Sequence, residues 1–258
     1  MAIHHAIRIV RLGRLSIHLV RGVLTAATVF PFCSKTTRLN LIRSWSGRLL
    51  GILSVSLSVR GSLPQPKSLL VSNHVSWLDI YLINAVCPPR FIAKSEIRSW
   101  PVIGWLSEKT GVLFVERERR LDTGRMNSVI ADAIASGDIV AVFPEGTTSD
   151  GTCLLSFKAP LLEPARSAML HPAAIRYVKQ SGETDTSVAY AGDTSFGESL
   201  WAVLGMNKIH AERVFLETIE VVGKDRKKLA SDAEGVIAEA LDLPRPGRKP
   251  GIPGDLRV

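Results

Sequence analysis

The spacing of apolar and polar residues changes from segment to segment along this chain. Apolar and polar residues alternate from Leu53 to Arg60, and this period of two predicts a strand that ends at Gly61. Further along, short apolar runs alternate with segments whose apolar residues recur at helical spacing. Strands are predicted at 53–60, 68–72, 90–94, 112–116, 138–143, 171–178, 186–191 and 212–222, and helices at 76–86, 96–109, 122–136, 157–169, 197–205 and 226–241. This order predicts a single α/β domain whose central, mostly parallel or mixed sheet is flanked by helices.

The first fifty residues follow a different pattern. Between residues 7 and 24, arginines and His18 recur every three or four positions, so they share one side of a helix that is otherwise apolar. Residues 22–34 carry no charge, and as helix these 13 residues would span roughly 20 Å, less than a bilayer core of about 30 Å. Pro31 interrupts this segment. A second amphipathic stretch follows, with these apolar residues on one side: Leu39, Ile42, Trp45, Leu49 and Ile52.

Positive charge is concentrated in the same region. Residues 1–78 contain ten Lys or Arg and no acidic residue, whereas the other 180 residues carry 22 basic and 24 acidic side chains. We therefore predict a two-helix anchor that lies in the surface of an anionic membrane. Single-pass insertion over about 12–32 is the alternative, and a secretory signal peptide fits less well because no small-x-small cleavage site follows. Both helices could instead simply pack on the domain.

Composition also limits the domain organisation and the compartment. We predict the anchor at 1–52, the α/β domain at 53–242 and a disordered tail, rich in Pro, Gly and Arg, at 243–258. The three cysteines show no CxxC spacing, which favours reduced thiols facing the cytosol over disulfides or a zinc site. No His-x-x-x-His pair lies on a predicted helix, so no metal is expected. Because the positive charge lies in an apolar segment, we expect a membrane partner and not a nucleic acid.

Residues 69–79 combine a buried strand, a turn and the start of a helix. His74 lies at this turn, and Asp79 follows five residues later, where its carboxylate can fold back toward the imidazole. A histidine held by a carboxylate is a general-base arrangement, because the acid fixes the tautomer and stabilises the imidazolium. The alternative is structural, since Ser76-x-x-Asp79 fits a capping box at the start of the helix.

A second polar turn follows the predicted strand 138–143. Gly146 permits close backbone approach and Thr147 offers a hydroxyl, which suits a loop that contacts a polar substrate. We expect Glu145 either to bind a head-group hydroxyl or to order this loop. An ordinary Pro-Gly turn would explain Pro144 and Gly146 but not the acid between them.

The segment Asn73-His74-x-x-x-x-Asp79 resembles the first motif of the glycerolphosphate acyltransferase family, enzymes that acylate lysolipids from acyl thioesters. Residues 111–117 (GVLFVER) and 143–147 (FPEGT) resemble the second and third motifs, in order and spacing. A fourth, apolar stretch around Pro172 matches less well. The resemblance covers about residues 68–180 and implies an acyltransferase.

The resemblance also implies roles for individual residues. Arg117 would hold the phosphate or carboxylate of the acceptor, although the residues alone favour a solvated charge run. Thr148 stands where the family commonly has an arginine, which puts phosphate recognition in doubt. Residues 190–194, with FPEGTTSDG, resemble the branch that acylates lyso-ornithine lipid, whereas Gly192-Asp193 alone suggests a turn and a helix cap. The implied substrate-binding residues are Asn73, Glu116, Arg117, Glu145, Gly146 and Thr147.

The implied reaction is direct acyl transfer at the cytoplasmic face of the inner membrane. His74, oriented by Asp79, would deprotonate the hydroxyl of a lysolipid, with lyso-ornithine lipid slightly favoured over 1-acylglycerol-3-phosphate. The alkoxide would attack a thioester of acyl carrier protein or CoA, without a further cofactor, and backbone amides after His74 would stabilise the oxyanion. Two other classes stay open: a lipid hydrolase, although the chain lacks Gly-x-Ser-x-Gly, and a catalytically silent membrane-binding protein.

Overall fold

The computed structural model describes residues 2–115 and 120–246. In this part of the chain, strands form a central sheet, and helices cover both of its faces. The strands are β1 (Val55–Arg60), β2 (Ser68–Ser72), β3 (Arg90–Lys94), β4 (Leu113–Val115), β5 (Ile139–Val142), β6 (Met169–Val178) and β7 (Ile209–Phe215). The α-helices are α1 (Ala2–Thr28), α2 (Lys35–Ile52), α3 (Leu78–Asn84), α4 (Ile103–Lys109), α5 (Arg120–Ala135), α6 (Phe196–Gly205) and α7 (Arg226–Leu241). Glu116, Arg117 and most of the predicted tail lie outside the described residues.

The seven strands lie in the order β1-β7-β6-β2-β5-β3-β4. Neighbouring strands are parallel except for β6 and β7, which are antiparallel. The predicted α/β fold with a mostly parallel or mixed sheet is therefore confirmed. Because parallel strands end at the same edge of a sheet, the segments that follow β2, β5 and β6 meet there.

The central strand β2 is buried along its whole length. Leu69 and Val71 face a core layer formed with α5 and α7, whereas Leu70 faces a second layer formed with α2, α3 and α6. A strand that is apolar on both faces is typical of the interior of a parallel sheet. Each such side chain contributes on the order of 2 kcal/mol by burial, so the strand that leads into the candidate site is held firmly.

Helix α1 lies on the outside of the domain with its polar side turned inward. The Arg8 guanidinium lies 5.1 Å from the ring centre of Trp201, and Arg11 donates a hydrogen bond of 3.0 Å to the carbonyl oxygen of Leu204. His18 is also buried, with only 6 % of its surface exposed. The large apolar side chains of the opposite side are exposed: Ile9, Val10, Leu12, Ile17, Leu19, Val20 and Leu24.

Helix α2 packs in the usual way, with Ile42 and Leu49 buried against the domain. Both helices therefore pack on the domain, α2 by its apolar side and α1 by part of its polar side. The stretch His5–Phe32 is long and apolar enough to cross a membrane, and only 17 % of its most apolar window is buried. As predicted, the chain breaks at Pro31, where Phe30–Phe32 form a 3-10 turn.

Two predicted helices differ from the observed structure because of their prolines. The helix predicted at 96–109 is divided into a 3-10 turn (Ser95–Ser99) and α4, since Pro101 disfavours helix at the residue before it. Val102, which follows, has a φ of 64°. The helix predicted at 157–169 is a run of 3-10 turns (Ala159–Ser167) with Pro164 inside it.

Two predicted strands also differ. The strand predicted at 186–191 is wrong, because Thr186–Val188 form a 3-10 turn whose N-cap is Asp185. Its apolar character came from Val188, which is buried without belonging to the sheet. Strand β7 begins and ends earlier than the predicted 212–222, and Ile219 forms only an isolated bridge to Leu170.

Candidate active site

His74 and Asp79 meet at the edge of the sheet where β2 ends. The His74 Nδ1 atom lies 2.8 Å from Asp79 Oδ2, a hydrogen bond that joins the turn to the first turn of α3. The Asp79 side chain is fully buried, whereas 18 % of the His74 side chain is exposed. The pairing predicted from their spacing is therefore present in the structure.

The partner of Nδ1 defines the tautomer of His74. A carboxylate oxygen only accepts hydrogen bonds, so Nδ1 carries the hydrogen and Nε2 keeps a lone pair. Nε2 has no hydrogen-bond partner among the described residues, and the ring is partly open to solvent. The ring is also stacked on Phe143, with centroids 4.0 Å apart and planes 10° apart. Nε2 is thus available, in a fixed orientation, to accept a proton.

Asp79 accepts hydrogen bonds from four donors. Oδ2 accepts from His74 and from the amides of Val75 (2.7 Å) and Ser76 (3.0 Å). Oδ1 accepts from the Tyr177 hydroxyl at 2.6 Å. The bond to the Ser76 amide is half of the capping box, so the structural role and the pairing with His74 exist together.

These bonds also limit which amides after His74 could form the expected oxyanion site. The amides of Val75 and Ser76 point at Asp79 and are already engaged, so they are not free to bind an oxyanion. Helix α3 begins at Leu78, one turn later than the predicted 76, and its N-cap Trp77 makes no side-chain cap bond. The first amides after His74 therefore position the carboxylate.

Glu145 holds the backbone of the same turn. Oε1 accepts the His74 amide at 2.7 Å, and Oε2 accepts the Leu155 amide at 2.9 Å. Glu145 is only 2 % exposed, and this burial raises its pKa to about 7, although the two amides and His74 act in the opposite direction. Of the two predicted roles, ordering the loop is the one that these contacts provide.

Asn73 joins the end of β2 to β6. Its amide Nδ2 donates to the carbonyl of Ile175, and its Oδ1 accepts from the Ile175 amide, both at 2.8 Å. Only 2 % of its surface is exposed. The resemblance implied a substrate contact for Asn73, but the structure places its side chain inside the sheet, where it positions the neighbouring His74.

The loop after β5 is exposed at its tip and carries a cation. Gly146 has a φ of 73°, a conformation that favours glycine. The Lys158 ammonium group lies over it, so that an added Cβ at position 146 would collide with it. Thr147 is exposed beside them. Gly146 and Thr147 thus lie where an acceptor head group could reach them, next to a positive charge that the sequence analysis missed.

The loop that contains Thr148 is joined to residue 190. The Thr148 hydroxyl donates to the Tyr190 carbonyl, and the Tyr190 amide donates to the Val75 carbonyl at 2.9 Å. Tyr190, the first residue of the segment 190–194, is therefore bonded both to the turn after His74 and to the loop after Glu145. The helix cap expected there is present, but it is formed by Ser195 with Glu198 and not by Asp193.

Tyr177 also contacts the candidate site, and the sequence analysis missed it. It lies on β6, 98 residues from Asp79, and is 1 % exposed. Burial, and then the Asp79 charge, raise its pKa well above 10, so the hydroxyl stays protonated as a donor. The available signal was a polar aromatic residue at the inward spacing of Ala173 and Ile175 on an apolar strand.

Comparison with known proteins identifies the class. A sequence model of the acyltransferase family matches residues 56–179, a range that includes His74, Asp79, Glu145 and Tyr177. The chain belongs to this family, and the enzyme is an acyltransferase, which confirms the resemblance seen in the motifs.

Individual relatives extend the match to most of the chain. The lyso-ornithine lipid O-acyltransferase of Pseudomonas aeruginosa is 36 % identical over 224 residues, 86 % of this chain and 84 % of that protein. The 1-acyl-sn-glycerol-3-phosphate acyltransferase of Neisseria gonorrhoeae is 32 % identical, over 92 % of this chain and 95 % of that protein. The structure of the 1-acyl-sn-glycerophosphate (LPA) acyltransferase from Thermotoga maritima shares the fold, with a TM-score of 0.69 at 19 % identity over 93 % of this chain and 95 % of that chain.

Proposed function

We propose that the protein transfers a fatty acyl group from an acyl thioester to the free hydroxyl of a lysolipid at a membrane surface. The observation that carries this proposal is the His74–Asp79 pair at 2.8 Å, in a histidine whose Nε2 has no hydrogen-bond partner among the described residues and whose side chain is partly exposed. The named relatives that cover most of the chain act on lyso-ornithine lipid or on 1-acyl-sn-glycerol-3-phosphate.

The reaction follows from the protonation of this pair. His74 Nε2 accepts the proton of the lysolipid hydroxyl, while Asp79 stabilises the imidazolium that forms. The alkoxide oxygen attacks the thioester carbonyl carbon and forms the new C–O bond. The C–S bond then breaks, and the leaving thiolate takes the proton back from His74. A serine nucleophile is unnecessary, because the acceptor supplies the attacking oxygen.

The acceptor head group belongs beside Gly146. Lys158 supplies a cation there, which offsets the absence of an arginine at Thr148 and suits a phosphate or carboxylate. The second motif, with Glu116 and Arg117, is proposed to supply the remaining contacts. Lyso-ornithine lipid is slightly favoured as acceptor, because Thr148 is tied to the segment 190–194 that resembles that branch. Acyl carrier protein and CoA are both suitable thioester donors, and no metal or further cofactor is required.

Helix α1 supports attachment to one face of the membrane. Its exposed apolar side covers nothing in the described part of the chain, while its polar side packs on the domain. Arg8 contacts α6 near one end of the helix, and Phe30 packs in a cluster with Trp105 of α4 just beyond the other. A helix that packs on one domain at both ends lies along the membrane surface, which favours monotopic attachment over a single-pass span. A thioester donor and the three free thiols support a position of this surface on the cytoplasmic side of the inner membrane.

The experiment measures two products of the purified protein. Acyl-CoA or acyl carrier protein is supplied with lyso-ornithine lipid, with 1-acylglycerol-3-phosphate, or with neither. We expect free thiol to appear only with a lysolipid, in equal amount to the acylated lipid and without free fatty acid. Thiol release with equimolar fatty acid would make the protein a hydrolase. No release with any donor and acceptor would leave only a membrane-binding protein.

A further inference from the structure

A basic cavity of about 510 Å³ lies between α1 and α2. Arg14 and Arg21 line it from α1, and Arg48 lines it from α2. The remaining wall includes Ile17, His18 and Ile52, and no acidic side chain contributes to the lining. Three positive charges therefore surround one open cavity.

Two other arginines on these helices are held by the protein, since Arg11 and Arg38 donate to backbone carbonyls. The guanidinium groups of the three cavity arginines form no hydrogen bond or salt bridge with any described residue. All three are exposed. Like charges that converge without a counter-ion favour the binding of an anion, and guanidinium groups match the oxygens of a phosphate by paired hydrogen bonds.

The walls of the cavity are held in place before any ligand binds. The His18 ring Nε2 lies 2.9 Å from the Trp45 carbonyl oxygen, and the Trp45 indole donates to the His18 carbonyl at 3.1 Å. The two rings are stacked, with centroids 4.5 Å apart. This reciprocal contact fixes α1 against α2, so a ligand would meet a formed site and not a mobile one.

The surroundings of the cavity point to a lipid. Ile17, which lines the cavity, is 57 % exposed, and Val20 and Leu24 on the same outward side are each 56 % exposed. Arg14 and Arg21, seven residues apart, lie two turns apart along one edge of this apolar side. A helix in the plane of a bilayer buries its apolar side near the acyl chains and keeps such an edge at the level of the head-group phosphates.

We propose that Arg14, Arg21 and Arg48 form a binding site for the phosphate head group of an anionic membrane phospholipid, separate from the acyl-transfer site. This inference rests on the proposed membrane attachment. A bound lipid would hold α1 at a fixed depth and rotation, and through Trp45, whose ring lies 5.9 Å from that of Tyr81 on α3, would connect the membrane to the helix that carries Asp79.

The test compares Arg48→Gln with Arg43→Gln in the full-length protein. Both arginines are exposed on α2 and both substitutions remove one charge, but Arg43 does not line the cavity. Binding is measured on phosphatidylcholine vesicles with and without phosphatidylglycerol. We expect Arg48→Gln to weaken binding to the anionic vesicles by about tenfold, the loss typical of a charged hydrogen-bonding partner, and Arg43→Gln to weaken it several-fold less. The double variant Arg21→Gln/Arg48→Gln should lose less binding to the anionic vesicles than the two single variants lose together, because the two arginines hold the same phosphate.

Equal losses for Arg48→Gln and Arg43→Gln would overturn the site, because diffuse attraction treats the two charges alike. Saturable binding of inorganic phosphate that depends on Arg48 would assign the cavity to a soluble anion and overturn the lipid. Failure to bind either vesicle would overturn membrane attachment together with the site. Acyl transfer to detergent-dispersed lysolipid should be the same in Arg48→Gln and the unmodified protein, so absence of that reaction in both would count against the proposed function alone.

Discussion

The Tyr177 hydroxyl can be removed with little change in packing, and the effect on Asp79 can be worked out. The change Tyr177→Phe keeps the ring in the core of the sheet but deletes the 2.6 Å hydrogen bond to Asp79 Oδ1. At that site Oδ1 has no other donor among the described residues, whereas Oδ2 keeps three. The carboxylate would therefore be held through Oδ2 alone and would be less firmly oriented.

A hydrogen bond to a charged group contributes about 1.5–3 kcal/mol to folding stability, and leaving a buried acceptor without its donor destabilises the protein by a similar amount. We expect the unfolding temperature to fall by several degrees, at roughly 2–4 °C per kcal/mol for a domain of this size. The same loss of orientation should lower kcat about tenfold, since 1.4 kcal/mol corresponds to a factor of ten. The KM for the lysolipid should change little, because Tyr177 is buried and its hydroxyl contacts Asp79.

The assay is the initial rate of thiol release at varied lysolipid concentration, at a temperature where the variant is fully folded. Tyr81→Phe is the matched control, because Tyr81 lies on α3 near the same site but its hydroxyl has no partner in the described part of the chain. A Tyr177→Phe protein with unchanged kcat, or one whose loss appears only in KM, would refute the role of Tyr177 in positioning Asp79.

Two further predictions concern buried ionisable side chains. Burial raises the pKa of Glu145 from 4.5 to about 7, so the folded protein holds this proton more tightly than the unfolded chain and loses stability as pH rises through that interval. The free energy of unfolding of the unmodified protein, measured relative to that of Glu145→Gln, should fall by about 3 kcal/mol between pH 4.5 and 7. A difference between the two proteins that does not change with pH would contradict this. Burial lowers the pKa of Arg213 to about 10, and its guanidinium has no hydrogen-bond partner in the described part of the chain, although it lies over the Phe215 ring. Arg213→Met should therefore increase the free energy of unfolding by about 1–3 kcal/mol and raise the thermal unfolding temperature. An unfolding temperature of Arg213→Met below that of Arg213→Lys would contradict the account.

The sequence predicted those features that depend on local patterns. The apolar run at 69–71 and the turn at His74 gave the strand, the loop and the position of the base, because each follows from a few neighbouring residues. The spacing to Asp79 then gave its partner within one helical turn. The class of fold followed from the order of such segments, which is why it survived errors in single elements such as 186–191.

Contacts between distant segments could not be predicted in the same way. The bonds from Glu145 to the His74 amide and from Tyr177 to Asp79 join residues 71 and 98 positions apart, and nothing local specifies which loop will lie beside which. The period of α1 likewise defined a basic side and an apolar side. It did not tell which side would meet the domain. The structure turns Arg8, Arg11 and His18 inward and leaves Arg14 and Arg21 exposed.

The central claim is that His74 Nε2, oriented by Asp79, deprotonates the acceptor hydroxyl. It is tested most directly by acyl transfer in membranes that contain His74→Ala, with His210→Ala as the matched control on β7, far along the chain from the site. Loss of a general base typically costs a factor of about 10²–10⁴, so we expect His74→Ala, and to a lesser degree Asp79→Asn, to be nearly inactive while His210→Ala transfers acyl groups normally. Full activity in His74→Ala or in Asp79→Asn would contradict the account.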